Sequence, residues 1–138
     1  MDSGLENVIA AETALSDVKG DIGELIIKGW YVEKLAASMA FEDVAHLLWQ
    51  SAFQDLPAVE TLGTRLGEAR VHAFASVMDA PGRMDIIQSL RLGWARERDD
   101  ETLETALALA SGGLVYTAAA IRQADGKAPI APDLRLSS

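Results

Sequence analysis

The two histidines of the chain each follow a glutamate by four residues, as Glu42 with His46 and Glu68 with His72. On a helix that spacing stacks the two side chains on one face, where such a pair stabilises by about a few tenths of a kcal/mol. Metal chemistry in a helical bundle needs more: a Glu-x-x-His pair on each of two helices, plus two further glutamates. The nearest match here is one pair at that spacing, Asp43 with His46. Both histidines are therefore read as surface or partly buried helix residues, and the metal ligands read from the sequence are none. Nucleophile signatures are equally absent. No G-x-S-x-G elbow places a serine on a strained turn, and no G-x-x-x-x-G-K-[ST] loop could cradle phosphate. Gly20-x-x-Gly23 lacks a third glycine and leads into a strand, whereas a pyrophosphate site needs a helix start. Trp30, Trp49 and Trp94 have few basic residues around them, which favours packing over base stacking. The residues thus name no catalytic and no cofactor-binding group.

Any chemistry would have to be positioned by a folded domain. A chain of 138 residues buries roughly two thirds of its unfolded surface, and 49% hydrophobic residues support a core. A formal charge of −9 opposes polyphosphate backbones and anionic lipid, so neither nucleic acid nor membrane is expected as a partner. The absence of cysteine excludes disulfides, zinc-thiolate sites and thiol nucleophiles, and fits a cytoplasmic protein. Asp2, Glu6, Glu12 and Asp17 near the start leave no basic-then-apolar leader, so no signal peptide is expected. The uncharged run from Thr105 to Ile121 touches the lower limit for a spanning helix, but Thr105, Ser111, Tyr116, Thr117 and two glycines dilute it. It is read as a buried core helix. Gly112 and Gly113 in its middle each cost about 1 kcal/mol relative to alanine, which anticipates another backbone in close approach.

Gly20 and Gly23 flank Asp21-Ile22 ahead of the β-prone Leu25-Ile26-Ile27, which is hairpin chemistry, with the preceding strand expected over Thr13 to Val18. Val32, Leu35, Ala36 and Met39 predict a first helix, and Phe41, Val44, Ala45 and Leu48 a second. Pro57 is expected to open a third, with Leu62, Leu66, Ala69, Ala73 and Val77 inward and Pro81-Gly82 at its end. Met84, Ile87, Arg91 and Trp94 share a face of a fourth. Asp99 or Asp100 is expected to cap a fifth, which runs to about Gln123 and stops at Asp125-Gly126. The last residues, K-A-P-I-A-P-D-L-R-L-S-S, read as an extended connector. The predicted organisation is a single unit over 1–138: a β-hairpin region at 12–30, helices over 32–125 and a connector at 126–138.

The run G-L-E-N-V-I-A-A-E-T-A-L-S-D-V-K-G-D-I-G-E-L-I-I-K-G-W from Gly4 to Trp30, followed by V-E-K-L-A and F-E-D-V-A-H-L-L-W, resembles the amino-terminal segment of citrate synthases and methylcitrate synthases. The likeness is close to about Phe53 and looser through Leu56-Pro57, the Met84 helix, the long helix and A-P-I-A-P. Ala40 departs from it, standing where related sequences often carry a capping Ser or Thr, as does Trp30-Tyr31 in place of tyrosine and a polar residue.

The resemblance implies a mainly α, multi-helical citrate synthase-like large-domain segment with a small N-terminal β-hairpin. It implies condensation of acetyl-CoA or propionyl-CoA with oxaloacetate, in which an aspartate removes a proton, one histidine stabilises the enol and another polarises the keto group. The family's histidine motifs, of the Pro-Leu-His-Gly-Gly type, have no counterpart in the chain. Asp133 with Arg135 is not the catalytic motif, and His46 matches a position without a catalytic role. The expectation is an amino-terminal scaffold portion, inactive alone, that binds no cofactor, acyl-CoA being a substrate of the whole enzyme. Its partner would be a second copy, through helices around 84–95 and 100–123, or a complementary carboxy-terminal chain. A non-enzymatic helical dimerisation or regulatory module derived from the family is the alternative.

Overall fold

The computed structural model describes residues 13–77 and 84–134. Contacts group the chain into two compact units that meet in sequence at Ala40 and Phe41, a division finer than the single unit read from the sequence.

The first unit holds three antiparallel strands in the order β1 (Ser16–Lys19), β2 (Glu24–Ile27), β3 (Trp30–Tyr31), followed by helix α1 (Val32–Ser38). β1 and β2 pair from Ser16 opposite Ile27 to Lys19 opposite Glu24, across the turn anticipated at Gly20 to Gly23. The strand begins later than the expected Thr13 because the Thr13 hydroxyl accepts from the Leu15 amide at 3.1 Å, a local turn that competes with a ladder. A second reversal, unforeseen, sits at Lys28-Gly29. Both residues have positive φ, 49° and 84°, as a two-residue hairpin turn requires, and they bring Trp30 opposite Ile27. α1 buries Leu35 and ends where the Met39 amide donates to Leu35 O at 2.9 Å.

The second unit is helical: α2 (Phe41–Trp49), α3 (Val59–Val77), α4 (Ile86–Trp94) and α5 (Leu103–Ala124). The predicted inner face of α3 is buried at Leu62, Leu66, Ala73 and Val77. These residues feed two core clusters against α5, one around Leu62, Leu66, Leu103 and Leu107, the other around Ala73, Val77, Val115 and Tyr116. Trp49 and Phe53 meet edge to face at 6.1 Å beside the first. The Ser111 hydroxyl donates to Leu66 O at 3.1 Å, joining α5 to α3 where both backbones are close.

Three helix ends differ from expectation. α3 begins two residues beyond Pro57, since the Ala58 carbonyl accepts the first helical bond, from Leu62 N. Its expected stop at Pro81-Gly82 lies outside the described residues. α4 starts at Ile86 and not Met84, fixed by a capping box: the Asp85 carboxylate accepts from Gln88 N at 2.8 Å, and the Gln88 side chain accepts from Asp85 N at 3.3 Å. α5 is capped by Thr102, not by Asp99 or Asp100. The Thr102 hydroxyl accepts from Thr105 N, and Asp100 stands behind it, accepting from the hydroxyls of both threonines. The far end of α5 is as read. Gly126 at φ 71° lets Lys127 N reach Arg122 O and Gly126 N reach Gln123 O, a Schellman closure.

α5 is long and apolar enough to cross a membrane by length and composition. In the fold it is the central helix, with Leu103, Thr105, Leu107, Ser111, Gly112, Val115, Tyr116, Ala119 and Ala120 buried.

Candidate interaction surface

The histidines stay on separate helices, His46 half-buried on α2 and His72 exposed on α3. Among the described residues no group of three His, Cys, Asp or Glu side chains gathers to hold a metal ion. The structure's chemistry is instead that of surfaces, built where α4 and α5 meet and on the outer side of α5.

The α4–α5 contact is made by one small residue under one large ring. A Cβ on Gly93 would lie 2.1 Å from Tyr116 Cδ2, so α4 approaches α5 at a distance that only glycine allows. One turn of α5 away, Gly113 receives the Trp94 indole, whose Cζ2 would stand 3.2 Å from an added Cβ. The indole Nε1–H donates to Leu109 O at 2.9 Å. The Gly112-Gly113 notch thus accommodates rings, that of Trp94 and that of Tyr116 on α5 itself, where the sequence led one to expect a second backbone. Sequence reading missed Gly93 altogether. Nothing in a lone helical glycine says which ring will press on it.

The face of α4 read from Met84, Ile87, Arg91 and Trp94 points outward: Ile87 is 55% exposed and Trp94 42%. α5 continues the apolar surface with Leu109, Leu114 and Ile121, the last 48% exposed. Along α5, Leu114, Ala118 and Ile121 recur at helical spacing on the exposed side. Beside them lies a groove of about 670 Å³ between α5, α3 and the final described segment, lined mainly by apolar atoms, with Arg70, Arg122 and Asp133 at its polar margin. The segment is held by two devices. Arg122 Nε donates to Ala128 O at 2.7 Å, and Gly67 on α3 leaves room for the Leu134 carbonyl, 3.1 Å from where a Cβ would stand.

Comparison with known proteins gives these surfaces a context. A family model described as citrate synthase, C-terminal domain, matches residues 4–138. A citrate synthase of Mycolicibacterium smegmatis is 29% identical over 145 aligned residues, covering 96% of this chain and 39% of that protein. A citrate synthase of Haloferax volcanii is 41% identical over 69 residues, half of this chain. A 2-methylcitrate synthase of Mycobacterium tuberculosis is 29% identical over 94% of the chain and 36% of its own length. The crystal structure of citrate synthase from Thermotoga maritima MSB8 superposes with a TM-score of 0.75 at 26% identity, covering 99% of this chain and 38% of that one. Over their full alignments, the chain therefore spans less than two fifths of these relatives' length.

Proposed function

The chain belongs to the citrate synthase family, and we propose that it forms the amino-terminal scaffold of a citrate synthase-type large domain, incompetent for condensation until the remaining part is supplied. The single observation that carries this reading is the asymmetry of coverage. Nearly all of this chain, 99%, aligns with 38% of the solved citrate synthase. The reaction the whole assembly would perform is the joining of acetyl-CoA or propionyl-CoA to oxaloacetate with release of CoA. Proton abstraction and enol stabilisation require positioned acid and base groups, and no such cluster is offered by this chain's two histidines on separate helices. Acyl preference would be set by the part not contained here, and the assembly would work in the cytoplasm.

The assay is clean because the chain contains no cysteine, so a thiol-trapping dye reports only released CoA. Purified chain mixed with acetyl-CoA and oxaloacetate is expected to give no colour above the enzyme-free rate. Co-expression with a polypeptide carrying the remaining family segment is expected to restore release. Steady release proportional to the concentration of this chain alone would refute the reading.

The exposed apolar surface of Ile87, Trp94, Leu114 and Ile121 favours a second copy as partner, through α4 and α5. It equally favours a non-enzymatic dimerisation module as the second reading. The two separate on complementation: a stable dimer that no family segment renders active is the module.

A further inference from the structure

The free edge of the small sheet is a surface that neither the condensation reading nor the α4–α5 surface uses. β1 pairs with β2 on one side and, among the described residues, with no strand on the other. All four of its residues, Ser16, Asp17, Val18 and Lys19, are exposed, Val18 by 69%. The phase of the ladder decides which backbone groups face outward. Lys28 N donates to Leu15 O at 2.9 Å, which makes Leu15 and Lys28 a hydrogen-bonded pair; by alternation Asp17 with Ile26 and Lys19 with Glu24 are the next two. The N–H and C=O of Ser16 and Val18 therefore point away from β2. Such an edge is a template for another strand, and native edges are commonly guarded by charge. This one carries a charge of each sign, Asp17 and Lys19, on one face and two residues apart.

We propose that β1 docks against β1 of a second copy, antiparallel about a two-fold axis at Val18, joining the two small sheets edge to edge. Backbone phase requires outward-facing residues to stand opposite one another, which for two identical strands centres the axis on a residue. Charge chooses which. With Val18 opposite Val18 of the second copy, each donates its N–H to the other's carbonyl. The same register sets Asp17 opposite Lys19 of the second copy, and Lys19 opposite its Asp17, at the non-hydrogen-bonded positions where side chains come closest. Moving the axis by one residue puts Asp17 against Asp17 or Lys19 against Lys19, which repel. Moving it to Ser16 sets Asp17 against Leu15 and forfeits both ion pairs. Lys19 is loosely held within its own sheet, since its exposed pairing with Glu24 is 3.5 Å long. A contact of four residues a side is far smaller than a stable interface, so the pairing is expected with a Kd on the order of 1 mM. Dilute protein is left to the α4–α5 surface.

The chain has no cysteine, so a single introduced thiol reports the register. Residues opposed in a hydrogen-bonded pair have Cα atoms about 5.5 Å apart, inside the roughly 4.4–6.8 Å that a disulfide spans. The test uses the full chain carrying Ile87→Glu and Ile121→Glu, which disables the α4–α5 surface, at a concentration on the order of 1 mM. Val18→Cys is expected to oxidise to a cross-linked dimer about tenfold faster than Ile22→Cys, a comparably exposed position in the turn. Adding Asp17→Lys or Lys19→Asp places like charges opposite each other and should slow the Val18→Cys reaction about tenfold. The swap of both charges should restore it, as should an equal mixture of the two single variants, which cross-link to each other. Equal rates for Val18→Cys and Ile22→Cys, the result if another segment of the same chain occupies the edge, overturn the proposal. So does a charge swap that restores nothing. CoA release is not read in this experiment, so its failure leaves the condensation reading untouched.

Discussion

Gly93→Ala tests the packing argument at its tightest point. The added Cβ would stand 2.1 Å from Tyr116 Cδ2 and 2.2 Å from Cε2, against about 3.5–4.0 Å for carbon atoms in contact. The ring or the helix must retreat by roughly 1.5 Å. The ring has little freedom to do so, because Tyr116 is buried among Ala73, Val77, Val115 and Ala119. Overpacking of this kind costs about 1–3 kcal/mol, while alanine in place of a helical glycine returns about 1 kcal/mol. With the 2.1 Å overlap placing the cost at the upper end of that range, the balance is a loss of about 2 kcal/mol, roughly a thirtyfold change in the folding equilibrium. Urea titration followed by helical circular dichroism reads it as a lower midpoint at unchanged slope. Gly63→Ala on α3 is the matched control, since its Cβ would meet Glu42 Cγ at an ordinary 3.5 Å; it should gain up to about 1 kcal/mol. Replacing Tyr116 with leucine in the Gly93→Ala background should recover part of the loss. If Gly93→Ala matches or exceeds the parent in stability, the close approach of α4 to α5 is wrong.

Removing the helix caps should cost about 1 kcal/mol each by the same titration: Asp85→Ala opens the start of α4, and Thr102→Ala opens that of α5. Asp100 gives a pH signature. Hydrogen bonds from Thr105 and then Thr102 hold its carboxyl below the usual 3.8, so its contribution to stability is present above that pH and is lost as pH falls through the depressed folded value. Asp100→Asn should therefore flatten the acid limb of the stability profile below about pH 4, and an unchanged limb would count against the cluster. For the proposed dimer, Ile87→Glu with Ile121→Glu should shift light-scattering mass to monomer while the helical spectrum stays. Because each copy carries −9, association through apolar atoms should tighten as salt rises and the Debye length falls from about 30 Å at 0.01 M to 8 Å at 0.15 M. Weakening with salt would point to ion pairs instead.

Much of the architecture was legible because period and punctuation agreed. The inner face of α3 followed from Leu62, Leu66, Ala73 and Val77, and the end of α5 from Asp125-Gly126. What failed to be legible turned on competition between local groups. Asp100 and Thr102 are both capping types two residues apart, and the carboxylate lost the cap because it serves better behind it, accepting from two hydroxyls at once. The first strand was expected from Thr13, yet the Thr13 hydroxyl takes the Leu15 amide. The Asp85–Gln88 box was present in the letters and could have been found by its spacing. Gly93 could not, since its necessity arises from a ring on another helix.

The exposure pattern of α5 connects these points. A helix on the surface of a finished domain shows an apolar stripe and an opposing polar face. α5 buries Leu107, Ser111, Val115 and Ala119 against its neighbours, yet its other side offers Leu109, Leu114, Ala118 and Ile121 to solvent, with charge confined to Glu104 near its start and Arg122 near its end. A helix apolar all round belongs at the centre of something larger. That is why its composition also passes for a membrane span, and why the test of length and hydropathy cannot separate the two. The chain covers 38% of a solved relative, and under the proposed reading the surface such a helix needs would come from the remaining family segment, a second copy or both. With α3 and α4 already occupying one side through Ser111, Gly93 and Trp94, the outer side of α5 is where the proposed partner would dock.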